Sequence, residues 1–94
     1  MKIVKVSGKN NKHRVLVYAL STCPWCRLTK QFLKDSEIEY EYVDVDFCVE
    51  EDMNKIRKHI FNLGGKLTYP VIIIDDKILI NGFRREQIKE VLGL

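Results

Sequence analysis

The sequence has little of what marks membrane, secreted or nucleic-acid-binding proteins. No apolar run exceeds the six residues Val15 to Leu20, whereas a bilayer span takes about 20 and a signal-peptide core about 7–15. Neither membrane insertion nor secretion is expected, and the expected location is the cytoplasm. Cysteine is scarce: there are three, two of them in a single Cys-x-x-Cys unit. Disulfide-stapled secreted domains carry larger, even sets spread along the chain. An odd, clustered set fits redox chemistry in a reducing compartment better. The net charge of +3 is too small to indicate nucleic acid as a partner. Repeats, low-complexity tracts and linkers are lacking, and 94 residues suffice for one domain spanning 1–94 but not for two. The expected assembly is a monomer.

What is present describes a chain that folds throughout. Hydrophobic residues make up 46% and charged residues 31%, and disordered chains lack the apolar content that offsets ordering entropy. The charge is unevenly placed: Asp35 to Asp52 holds nine acids and no Lys or Arg, while the rest of the chain carries all sixteen bases and four acids. Arg27, Lys30 and Lys34 follow the paired cysteines directly. Two readings stay open, a solvated surface that serves solubility and a basic face that steers an acidic partner protein to a reactive thiol.

Three segments carry helical periodicity. A first helix begins at Pro24, a residue favoured at the first helical position, and is expected to bury Leu28, Phe32 and Leu33. In a second, Val49, Met53, Ile56, Ile60 and Leu63 recur at steps of four and three, and Gly64-Gly65 ends it. A third runs from Arg85 to Leu92 with Ile88, Val91 and Leu92 inward. Val15 to Leu20 is near-continuously apolar, as a strand covered on both faces must be, and is expected at the sheet centre. Tyr40 to Val45 forms a second strand, and Val71 to Ile74 with Lys77 to Ile80 reads as a hairpin across Asp75-Asp76. The order β-α-β-α-β-β-α implies a parallel crossover followed by an antiparallel hairpin. The result is an α/β fold, a four-stranded mixed sheet flanked by three helices. Ile3 to Val6 offers an extra N-terminal edge strand, turned by Gly8 to Lys12, so that residues 1–13 form an extension.

Cys23-Pro24-Trp25-Cys26 follows a buried strand and opens a helix, the context in which a Cys-x-x-Cys unit becomes chemically meaningful. Unpaired backbone N–H groups and the macrodipole at a helix start stabilise negative charge, favouring the thiolate at Cys23. That thiolate is the attacking species in thiol–disulfide exchange, and Cys26, nearly one turn on, resolves the mixed disulfide. Pro24 starts the helix and stiffens the loop. Trp25 is expected partly exposed beside the thiols, either as a packing aromatic or as a contact surface for partners. The competing reading of the pair is half of a zinc site, which needs two more ligands. Cys48, His13 and His59 are the only other soft candidates and lack a paired spacing, so no metal is expected. Cys48 reads as structural, and His59 as a boundary residue of the second helix.

Taken together, Cys23-Pro24-Trp25-Cys26, Thr68-Tyr69-Pro70 and Asn81-Gly82-Phe83 resemble, in order and spacing, the glutaredoxin and thioredoxin families over Val15 to Leu94. The resemblance implies a thioredoxin fold and a dithiol/disulfide oxidoreductase that reduces protein disulfides without a bound cofactor. It also implies that Pro70 is cis and faces the dithiol. Tyr69 then pairs with the substrate backbone like an added strand, and Pro24, Trp25, Thr68, Tyr69, Pro70, Gly82 and Phe83 form the substrate-binding surface. Glutathione-using glutaredoxins carry a Gly-Gly-x-Asp type element where this chain has Asn81-Gly82-Phe83-Arg84-Arg85. That segment is more similar to redoxins that supply electrons to ribonucleotide reductase and are recharged by a flavin or ferredoxin-linked reductase. The Pro-Trp pair between the cysteines points the same way. A glutathione-dependent glutaredoxin is the alternative, with Arg27, Lys30, Arg84 and Arg85 as carboxylate partners. A third reading is an iron–sulfur module of the kind monothiol relatives form with glutathione, although those usually lack a second motif cysteine.

Overall fold

The computed structural model describes residues 1–94. In chain order the elements are β1 (Val4–Val6), β2 (Val15–Ala19), α1 (Pro24–Asp35), β3 (Tyr40–Asp44), α2 (Glu50–Asn62), β4 (Val71–Ile74), β5 (Ile78–Asn81) and α3 (Arg85–Leu92), with a 3-10 turn at Val45–Phe47. The sheet has five strands in the order β1-β3-β2-β4-β5. β2 runs parallel to β3 and antiparallel to β4, which forms a hairpin with β5. The N-terminal edge strand forms against β3, with Val4 opposite Tyr42.

Side chains alternate across a strand, so a strand covered on both faces must be apolar at every position. β2 and β4 show why these two runs are continuous. Val15, Val17 and Ala19 join Ile72 and Ile74 in one core cluster with Cys26, Leu33, Ile88 and Leu92 of α1 and α3. Tyr18, Val71 and Ile73 join a second cluster with Ile56 and Ile60 of α2. The sheet is thus sandwiched between two helices on one face and one on the other.

Two expected inward residues are exposed, and Phe32, Met53, Leu63 and Val91 are half-buried. Leu28 is 48% exposed and Val49 is 66% exposed. α1 turns Cys26, Thr29 and Leu33 to the sheet instead, which leaves Leu28 well off the buried face. Val49 precedes the helix as the N-cap of α2, so helical periodicity does not govern its side chain. The hairpin also shifts by one residue. Asp75 and Asp76 both adopt left-handed backbone, at φ 55°, and Ile74 pairs with Ile78. Lys77 is left in the turn and β5 ends on Asn81. β3 stops at Asp44, where the chain enters the 3-10 turn, and β2 stops at Ala19.

Gly8 is required by close approach. A Cβ there would lie 2.6 Å from the backbone of Glu37, Ile38 and Glu39. Absence of a side chain lets the loop after β1 reach Asn10, whose N–H donates to Glu37 O and whose O accepts from Glu39 N–H, each at 2.9 Å.

Candidate active site

The turn after β2 closes with Cys23 N–H donating to Leu20 O at 3.2 Å, which sets Cys23 at the N-cap of α1 with Pro24 in the first turn. In this extended cap conformation the Cys23 Sγ takes the place of a Ser or Asp oxygen. It accepts a hydrogen bond from Cys26 N–H at 3.3 Å, one of the donors a helix start leaves free. Negative charge on that sulfur is therefore matched by a hydrogen bond and by the helix dipole.

Cys26 lies behind it, fully buried. Burial pushes its thiol up to about 12, and a hydrogen bond with Cys23 and the Cys23 charge act in the same direction. The Leu20 N–H, which donates to Cys26 Sγ at 3.5 Å, and the Lys30 ammonium oppose that rise. At neutral pH Cys26 is a thiol. The two cysteines, three residues apart, are placed in opposite environments.

Lys30 is held for this position. Its Nζ donates to Asp44 Oδ1 at 3.0 Å and sits 3.9 Å from the Tyr42 ring centre. The sequence offered it as a partner for an incoming carboxylate; in the fold its own chain supplies that carboxylate. Asp46 fixes the turn before the motif by accepting from both the hydroxyl and the N–H of Ser21. Those hydrogen bonds hold its carboxyl below the usual range. Neither aspartate was singled out in the sequence, because only the packing of β3 beside β2 brings them to the motif.

Tyr69-Pro70 is a cis peptide, and Pro70 is buried while Thr68 is exposed. Gly82, at φ 84°, directs its N–H to Pro70 O at 2.7 Å, so the two segments meet. Asn81 secures the approach: its amide accepts from Lys66 N–H at 3.0 Å and donates to Lys66 O at 2.7 Å and Thr68 O at 3.1 Å. Cys23, Tyr69 and Phe83 all pack against the core cluster shared by α1 and α3. Phe83 faces Phe32 with ring centres 5.9 Å apart. Trp25 projects from the first turn of α1, 60% exposed.

The other soft donors do not join the pair. His13 bonds Asp75, and His59 lies 2.7 Å from both Tyr18 Oη and Asp76. Cys48 sits half-buried against the α2 cluster, its Sγ 3.9 Å from Asp44 O. No three Cys, His, Asp or Glu side chains converge on a common point.

Residues 15–79 match the glutaredoxin family model. The chain belongs to the glutaredoxin family. A glutaredoxin-like 8.6 kDa protein in the rubredoxin operon of Clostridium pasteurianum is 36% identical over 78 residues, covering 83% of this chain and 96% of that one. Glutaredoxin 1 of Rickettsia conorii is 36% identical over 64 residues, 68% of this chain, and the match spans only 60% of the rickettsial protein. Among solved structures, the glutaredoxin from Methanosarcina mazei superposes with a TM-score of 0.90 at 32% identity, over 100% of this chain and 90% of that one. Methanoredoxin from Methanosarcina acetivorans gives 0.79 at 37% identity, over 86% and 85%. The five-stranded mixed sheet with three helices is the thioredoxin fold of glutaredoxins, and the chain is a glutaredoxin-like redox protein bearing a Cys-x-x-Cys motif.

Proposed function

We propose that this glutaredoxin-family chain is a cytoplasmic protein-disulfide reductase and electron carrier, with Cys23 as nucleophile and Cys26 as resolving thiol. The observation that carries the reading is the contrast between the two sulfurs. Cys23 caps α1 and accepts a hydrogen bond, while Cys26 is buried with its thiol held up to about 12. The Cys23 thiolate attacks one sulfur of a target disulfide, forming a mixed disulfide and expelling the other sulfur as a thiolate that takes up a proton. Forming that bond removes the Cys23 charge and its hydrogen bond with the Cys26 thiol, two of the influences that keep Cys26 protonated. The Leu20 N–H and Lys30 remain, and both favour the Cys26 thiolate. Cys26 gives up its proton to solvent, attacks Cys23 Sγ, and releases the second target sulfur as a thiolate. Two electrons pass to the target, and the chain is left with a Cys23–Cys26 disulfide.

Pro24, Trp25, Thr68, Tyr69, Pro70, Gly82 and Phe83 form the docking surface in this reading. The Tyr69 backbone pairs with the target chain, and Asn81 keeps Thr68 in place. Recharging requires a two-electron donor. We assign this role to a thioredoxin-reductase-type or ferredoxin-linked reductase, because Lys30 is already paired with Asp44 and Asn81 to Arg85 supplies no acidic element. The rubredoxin operon of the clostridial relative fits an electron-carrier setting.

Insulin-disulfide reduction tests the roles. Cys23→Ser is expected to abolish it, and Cys26→Ser to accumulate mixed disulfides that mass spectrometry detects; sustained turnover by Cys23→Ser would sink the assignment. Supplying either glutathione with its reductase or a thioredoxin-type reductase identifies the electron source, with faster recharging by the second expected.

A further inference from the structure

The dithiol is flanked by an apolar stripe that the core does not use. Trp25, Leu28 and Phe32 stand at i, i+3 and i+7 along α1, a spacing that aligns them on one side of a helix. Trp25 and Leu28 are about half exposed or more. Leu28 and Phe32 form one wall of an open groove of about 330 Å³, and Phe83 and Arg85 line it with them. The Arg85 guanidinium lies 5.5 Å from the Phe32 ring centre. An exposed Leu in mid-helix with an aromatic floor beside it has no packing role within this fold.

The charge around the groove has a sign. Seven salt bridges form in the molecule, and none uses Arg27, Lys34, Arg84 or Arg85. The acids between Asp35 and Asp52 are largely taken elsewhere: Glu37 by Lys9, Glu39 by Lys5, Asp44 by Lys30, Glu50 by Arg57 and Asp52 by the N-terminus. The acid within the groove, Asp35, accepts from Gln31 at 2.7 Å. Twelve of the sixteen Lys and Arg side chains stand outside salt bridges, and four of them, Arg27, Lys34, Arg84 and Arg85, lie on α1 and at the start of α3, against two acids there without one, Asp35 and Glu86.

The geometry points to a substrate-docking groove: Leu28, Phe32, Phe83 and Arg85, with Arg27 and Arg84 at its rim, receive an acidic segment of the disulfide-bearing protein, anchored by a large apolar side chain. This inference rests on the protein-disulfide reductase reading and names its substrate class. Apolar insertion supplies contact area, and the arginines steer encounter and select against basic partners. The Cys23 sulfur lies at the N-terminal end of the same helix, so a segment seated along α1 brings its cysteine to the attacking thiolate.

Two disulfide-bridged peptides test the groove, differing only in whether a Phe near the cystine is followed by Glu or by Lys residues. Each is mixed with prereduced protein, and oxidation is followed by the fluorescence of Trp25, the only tryptophan. The acidic peptide is expected to react at least about tenfold faster at low ionic strength, as steering by opposite charge allows, and to lose most of that advantage in high salt. Arg27→Glu with Arg85→Glu is expected to reverse the order of the peptides, and Leu28→Ser to lower the rate ratio between the acidic peptide and an uncharged small disulfide. Equal rates for the two peptides at low salt, or an order unmoved by charge reversal, overturn the groove while both peptides still react. Failure of the peptides and the small disulfide alike to oxidise the protein overturns the reductase reading itself.

Discussion

Cys26 gains its properties from burial, and this makes the stability of the reduced protein sensitive to alkali. In the fold its thiol keeps its proton up to about 12, while in the unfolded chain it ionises near the ordinary value of 9.0. The native state therefore binds more protons in that window. The contribution is complete below about pH 9 and is lost as pH rises toward 12. Denaturant melts of reduced wild type and Cys26→Ser, run from neutral pH to pH 10, are expected to show the steeper alkaline loss in wild type. Parallel curves would contradict the assignment. Tyr18, pushed up to about 12 by burial, adds the same sign to both proteins and cancels in the comparison. Lys30 acts on Cys26 from the opposite direction. Lys30→Gln, with Cys26 in place, is expected to slow resolution of the mixed disulfide several-fold while leaving alkylation of Cys23 by iodoacetamide nearly unchanged, as stopped-flow measurements would show.

At the scale of elements, the joints rather than the strands and helices position the chemistry. Asn81 ends β5, yet its side chain makes three hydrogen bonds to the loop that delivers Thr68 and Pro70. Net hydrogen bonds are worth about 0.5–1.5 kcal/mol each, so losing three in Asn81→Ala is expected to lower stability by about 1.5–4.5 kcal/mol. Because this loop carries the proposed docking backbone, KM for a protein disulfide is expected to rise more than kcat falls. A uniform fall in kcat with KM unchanged would argue against a positioning role. Gly8 joins β1 and its loop to the segment entering β3. Gly8→Ala forces backbone apart at 2.6 Å contacts, and hydrogen exchange is expected to show loss of protection at Asn10 and Glu39 with β2 and β4 unaffected. Leu33, fully buried on α1, packs the motif helix against the core on the same face as Cys26; Leu33→Ala is expected to cost about 2–5 kcal/mol.

Over the whole molecule, folding redistributes charge that the sequence separates. Acids of the 35–52 segment meet bases from the N-terminus, α1 and α2, and part of the basic surplus, Arg27, Lys34, Arg84 and Arg85, is left on α1 and at the start of α3. The more exposed of these pairs, such as Lys9–Glu37, contribute little individually, about 0–1 kcal/mol each, so their effect is on the field a partner meets. Asp46 and Asp75 are the carboxylates held below the usual range, the first by Ser21 and the second by His13 and Arg14. For each, the stabilising contribution is present above the ordinary value of 3.8 and lost as pH falls through the depressed native value. Acid unfolding of Asp46→Asn is therefore expected to show a shallower dependence on pH than that of wild type, with the difference confined to the acid limb.

The sequence by itself determined the architecture and the dithiol, because both are written in local patterns. Short, β-branched apolar runs at Val15 and Val71, bounded by turn residues, read as strands covered on two faces, and a Cys-x-x-Cys with Pro in the first helical turn presents its first sulfur at a helix start. The order of elements, the edge strand near Val4 and the parallel crossover follow from the same signals. What the tertiary structure alone decided depends on residues distant in the chain becoming neighbours. Asp44 claims Lys30, Ser21 receives Asp46, and Asn81 reaches back to Lys66 and Thr68, none of which any spacing encodes. The fate of Leu28 belongs here as well. Helical periodicity places it near the buried face, but the sheet meets α1 along Cys26, Thr29 and Leu33, and that choice of contact line leaves Leu28 open on the helix that Cys23 caps.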